Sequence, residues 1–114
     1  MSNPLEVKIY LDSMVTGSMI LKTKMKHYKI SGLLDAIPLA AEVVQFIRSV
    51  DAGAKPHSLF TLADVQGRKY RFELRFADNR VYLGLKLKTE QTTGTMLFDW
   101  EGGFEAFKTG FKII

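Results

Sequence analysis

The stretch from Lys69 to Lys88 constrains the fold most. Apolar and polar residues alternate on both sides of Asp78-Asn79, a dipeptide that tolerates the left-handed backbone of a two-residue hairpin turn. Such a turn pairs Ala77 with Arg80, and antiparallel register then fixes every pair behind it. Phe76 faces Val81, Leu74 faces Leu83, Phe72 faces Leu85 and Tyr70 faces Leu87, so one side of the hairpin is apolar throughout. On the other side Arg75 lies opposite Tyr82, Glu73 opposite Gly84, Arg71 opposite Lys86 and Lys69 opposite Lys88. Directly opposed like charges destabilise a hairpin by a few tenths to about 1 kcal/mol each, and folding alone gives no reason for them. An anion resting on that side does.

The rest of the chain reads as further hairpins and two helices. Leu5, Val7, Ile9 and Leu11 alternate with polar residues, and Gly17 opens a second run from Ser18 to about Tyr28. From Asp35, a candidate cap, the period becomes helical up to about Val50, with Ile37, Ala40, Val44 and Ile47 on one face. After a short linker from Asp51, a strand is expected over Ser58 to Val65, turning at Gln66-Gly67. The parity of that turn decides where Phe60 and Leu62 go. Two or four turn residues place them on the charged side, three place them in the core, and the burial habit of phenylalanine favours the core. Thr89 to Thr95 reads as a polar loop, Met96 to Phe98 as a short strand, and Phe104, Phe107 and Phe111 as the inner stripe of a closing helix. Trp100, beside Gly102 and Gly103, is read as a core plug in preference to a ligand contact.

These elements define an α+β chain, one domain over residues 1–114, with antiparallel sheet built from hairpins and two helices covering one face. The order of elements resembles that of the small sheet-and-helix single-strand binders of the Whirly and PUR kind. The chain carries no residue motif of those families, so the resemblance implies architecture and no site residue.

Composition narrows the chemistry. The absence of cysteine removes disulfides, thiolate metal sites and cysteine nucleophiles, and His27 and His57 are the only imidazoles. His27 is expected on the side opposite the lysines that flank it, and His57 in the linker. No phosphate loop, zinc-protease helix, nucleophile elbow, calcium loop or dinucleotide fingerprint occurs. The carboxylates have structural readings: Asp64 and Asp78 in turns, Asp99 as a cap, Glu101 and Glu105 in the first turn of the last helix. No catalytic residue, cofactor or metal is therefore expected. No apolar run approaches the roughly 18 residues that span a bilayer, so a cytoplasmic chain without a membrane partner is expected.

Charge supplies the positive reading. The 114 residues carry 16 Lys and Arg against 12 Asp and Glu, a net +4. Arg68 to Lys88 alone holds seven basic and two acidic residues, so the remainder is slightly acidic. A second row, Lys22, Lys24 and Lys26, alternates with Leu21, Thr23 and Met25 and is continued by Tyr28, with no acid between Asp12 and Asp35. If both hairpins join one sheet, Lys22, Lys24, Lys26, Tyr28, Arg71, Arg75, Tyr82, Lys86 and Lys88 form a basic surface studded with tyrosine. Such a surface holds single-stranded DNA or RNA, or another polyanion, by neutralising phosphates and stacking bases. The alternative is a protein-interaction or homo-oligomeric assembly subunit, suggested by the wide apolar arc of the first helix.

Overall fold

The structure, a computed structural model, describes residues 4–88 and 94–114. Ten elements follow in order: β1 (Glu6–Leu11), β2 (Gly17–Lys22), β3 (His27–Leu33), α1 (Ala36–Asp51), β4 (His57–Ala63), β5 (Lys69–Ala77), β6 (Arg80–Lys88), β7 (Met96–Gly103), α2 (Phe104–Gly110) and β8 (Phe111–Ile113). They build an α+β fold of two four-stranded sheets, ordered β3-β2-β1-β8 and β4-β5-β6-β7. Every pairing is antiparallel except β1 with β8. The two hairpins of the sequence reading thus belong to different sheets.

The β5–β6 hairpin has the register its turn dictates, from Ala77 opposite Arg80 to Lys69 opposite Lys88. Asp78 and Asn79 sit at φ 54° and 60°, the left-handed pair of a type I′ turn whose twist matches the strands. Tyr70, Phe72, Leu74, Val81, Leu83 and Leu85 are buried as a result. Five residues separate β4 from β5, an odd number, so Phe60 pairs with Phe72 and Leu62 with Tyr70 on the core side. The same parity turns Leu59 and Thr61 outward.

Asp64 organises that connection. Its buried carboxylate accepts hydrogen bonds from the Gln66 and Arg68 backbone N–H groups, from Arg68 Nε and from the Tyr70 hydroxyl, all at 3.0 Å. Burial pushes the Asp64 carboxyl up, but the Arg68 N–H, the Tyr70 hydroxyl, the Arg68 guanidinium and the Gln66 N–H together hold it below its ordinary value. Tyr70 is pushed up to about 12, by its own burial first and by Asp64 next.

Several expectations are corrected here. The run from Ser18 to Tyr28 is two strands, because Thr23 replaces the missing glycine or proline of a turn. Its Oγ1 accepts the Met25 and Lys26 N–H groups at 3.2 and 3.1 Å, and its own N–H donates to the Lys26 carbonyl. The reversal puts Lys22 opposite His27 and Leu21 opposite Tyr28, so His27 shares the lysine side and Tyr28 faces inward. In α1 the buried seam is Ala36, Leu39, Ala40, Val43 and Phe46, which leaves Ile37 outside. Asp35 does not cap that helix with its side chain; its carboxylate takes the Ala63 N–H at 3.2 Å and ties the helix start to β4. Finally, β7 runs on to Gly103, so Asp99 and Glu101 are strand residues, and α2 stops at Gly110 because Phe111 enters β8 beside Val7.

A single core joins both sheets and both helices. Phe107 of α2 meets the ring edge of Phe46 with centroids 5.8 Å apart, and Trp100 stands 6.4 Å from Phe107, as a core plug should. The inner faces of both sheets supply this core, so their outer faces turn away from it. At one corner β3 runs against β4, through Leu34 N–H to the Ala63 carbonyl and Val65 N–H to the Gly32 carbonyl, both 2.9 Å. The α2–β8 junction is equally close: a Cβ on Gly110 would overlap the Leu5 carbonyl oxygen, a backbone atom with no rotamer to escape into. Gly110→Ala is therefore expected to destabilise the fold by about 1–3 kcal/mol, read as a lower urea midpoint.

Candidate nucleic-acid interface

The outer face of the β4–β7 sheet is a grid set by register. One row runs Ala63, Lys69, Lys88; the next Thr61, Arg71, Lys86, Met96; then Leu59, Glu73, Gly84, Asp99; then His57, Arg75, Tyr82, Glu101. The charge on it is polarised. Glu73 accepts a hydrogen bond from His57 Nε2 at 2.6 Å, Arg80 lies 3.8 Å from Glu101, and Lys26 reaches Asp99 at 2.5 Å. That half of the face is balanced. Lys69, Arg71, Lys86 and Lys88 have no carboxylate partner among the described residues, and the two opposed pairs stand in adjacent rows.

Tyr82 marks the boundary between the halves. Its ring folds back over Gly84, where a Cβ would come within 2.8 Å of its hydroxyl, and the Arg75 guanidinium lies 5.3 Å from its centroid. The ring therefore lies along the sheet as a half-buried platform, a posture that only glycine at position 84 permits. Burial pushes the Tyr82 hydroxyl up, and Glu73 and Asp99 push the same way, so it stays a neutral donor at physiological pH. Beside it, Leu59, Arg71, Glu73, Gly84 and Lys86 enclose a hollow of about 180 Å³.

The residues picked from the sequence separate into two groups. Arg71, Arg75, Tyr82, Lys86 and Lys88 share this face, and Lys69 joins them. Lys26 touches the margin of the face through Asp99, bringing the tip of the β2–β3 hairpin against β7. Lys22 points to the outer face of the other sheet, between Glu6 and His27, and Lys24 is an exposed turn residue. Tyr28 packs against the core and is no stacking platform. A single strand over Ser18 to Tyr28 would have aligned all four, and the Thr23 turn breaks that alignment. The other sheet has cations of its own, Lys8, Lys22, Lys29 and Lys112, on a face with no tyrosine besides Tyr10. Leu59 and the Glu73–Gly84 pair were not singled out as site residues; the odd β4–β5 connection places Leu59 there, and the register of the hairpin had already set Glu73 against Gly84.

Among the described residues no group of three or more His, Asp or Glu side chains is arranged to hold a metal ion, and no helix is long and apolar enough to cross a membrane. No protein-family model, curated protein or solved structure matches the chain significantly. What the face does must follow from its own residues.

Proposed function

We propose that the chain is a non-enzymatic binder of single-stranded DNA or RNA, and that the outer face of β4–β7 is the binding surface. The observation that carries this is the quartet Lys69, Arg71, Lys86 and Lys88, two opposed like-charged pairs without carboxylate partners among the described residues, beside an aromatic platform. Phosphates neutralise the quartet and remove its mutual repulsion, while a base stacks on Tyr82 as the exposed Arg75 guanidinium over the ring swings aside. Single strands suit the face better than duplex, since only an unpaired base offers its ring to a flat tyrosine.

Tyr82→Ala tests the stacking half of the proposal. It is expected to weaken binding of a labelled single-stranded oligonucleotide by about 1–3 kcal/mol, with a smaller loss on duplex of the same length, in fluorescence anisotropy. Equal losses on both would assign Tyr82 to packing alone.

The assembly reading rests on a different surface. Met14 and Val15 of the β1–β2 loop are 91% and 67% exposed and lie near Leu34 and Ile37 at the start of α1. Light scattering that shows an oligomer, together with no oligonucleotide binding, would favour that reading.

A further inference from the structure

The hollow at Gly84 is more than a gap between charges. It sits at the centre of the grid because a central strand residue there has no side chain, and its walls are chemically unlike. Arg71 and Lys86 donate from one side, Glu73 accepts on another, and Leu59, 56% exposed, offers apolar surface. Sites that enclose a whole small molecule run to roughly 300–1,000 Å³, so a hollow of about 180 Å³ suits one ring system and not a complete nucleotide.

Glu73 sets the selectivity. A carboxylate only accepts, and its Oε2 is already engaged by His57 Nε2 at 2.6 Å. Oε1 has no protein donor among the described residues, and the hollow that Glu73 lines is otherwise bounded by cations, apolar surface and Gly84. A base fitting this arrangement must present N–H donors to Glu73 and, next to them, acceptors to Arg71. Those two side chains are two residues apart on one strand and on one face.

Guanine meets both demands. Its N1–H and exocyclic N2 amine form a donor edge, and O6 with N7 forms the adjoining acceptor edge that arginine takes with two hydrogen bonds. Thymine and uracil carry one N–H flanked by two carbonyls, which sets a carbonyl oxygen against the carboxylate. Adenine offers an amine to Glu73 but lacks the carbonyl acceptor, and cytosine sets its N4 amine beside N3 and O2 but gives Glu73 one amine where guanine gives two parallel N–H donors.

Resting on the nucleic-acid reading above, we propose that the Gly84 hollow is a guanine-selective base site, with Glu73 and two of the five Arg71 N–H donors reading the base and the remaining Arg71 donors, with Lys86, Lys69 and Lys88, holding the flanking phosphates. The test compares labelled oligo-dT with oligo-dT carrying one central dG, in fluorescence anisotropy at one fixed salt concentration. The dG-bearing strand is expected to bind about tenfold more tightly. In Glu73→Gln, whose amide keeps the carboxylate's shape but sets a donor against the base, the ratio of the two affinities is expected to fall to about one, and Arg71→Ala, which removes the donors to O6 and N7, is expected to do the same. A wild-type ratio of one, with both strands bound, overturns the guanine site and leaves the basic face standing. A ratio of ten that survives both substitutions places the selectivity elsewhere and also overturns it. Absence of binding by either strand at low salt overturns the nucleic-acid reading itself.

Discussion

Replacing Arg71 and Lys86 together by Glu is expected to lower affinity for a single-stranded oligonucleotide several hundredfold at 0.1 M salt. Each phosphate contact on a single strand contributes about 0.7 to the slope of log affinity against log salt, so losing two contacts weakens binding roughly 25-fold at that concentration. Reversal adds repulsion of similar size, and roughly the square of that factor is the upper end of the expected loss. The folded state should tolerate the change. Both side chains lie on the outer face, and the reversal swaps one like-charged pair for another across the same two strands. An unchanged urea midpoint alongside lost binding assigns the effect to the interface. The contrasting variant is Lys22→Glu with Lys29→Glu on the other sheet, which is expected to cost less than a tenth of that factor.

Asp64→Ala carries the largest expected effect on stability, about 2–4 kcal/mol. Its removal leaves the buried Tyr70 hydroxyl without its acceptor and frees the Gln66 and Arg68 N–H groups that shape the β4–β5 connection. Arg68 itself, with 55% of its side chain exposed, stays hydrated and adds little. For a domain whose total stability is about 5–15 kcal/mol, the loss is substantial. The pH dependence has a definite sign. The folded carboxyl titrates below its ordinary 3.8, so its contribution is fully present above that value and is lost as pH falls through the lower, folded one. Between pH 5 and pH 2 the urea midpoint of the wild type should therefore fall more than that of Asp64→Asn. Parallel falls would show that the ion is not what stabilises the loop. The consequence reaches the site, because the five-residue connection sets the parity that turns Leu59 outward and Phe60 inward.

The β5–β6 hairpin was legible down to single pairs because one tight turn fixed it and an unbroken apolar face confirmed it. Arg71, Arg75, Tyr82, Lys86 and Lys88 share a side for the same reason. The β1–β2 hairpin was legible from its alternation and Gly17, but the β2–β3 hairpin was not, because its turn is made by a threonine hydroxyl in a segment whose alternation never breaks, and alternation alone does not reveal a reversal. Tyr28 was misplaced by that one hidden turn. In α1, Ile37 and Ala36 are both apolar neighbours, and only the packing against the core decides between two seams one residue apart. Gly102 and Gly103 weaken a helix, and the chain resolves that by extending β7 through them. Gly102 lies under the Trp100 ring, so a strand with no side chain there gives the indole room. The hollow at Gly84 follows from register, but its walls depend on the parity of β4, which the turn dipeptide left open.

The salt dependence of oligonucleotide affinity tests the basic face most directly. With Lys69, Arg71, Lys86 and Lys88 engaged, a plot of log affinity against log salt for a labelled single strand should have a slope of about −3, halving to about −1.5 when Arg71 and Lys86 are replaced by Ala. A strand that fails to bind even at low ionic strength, or a slope that Arg71 and Lys86 do not alter, contradicts the assignment of this face.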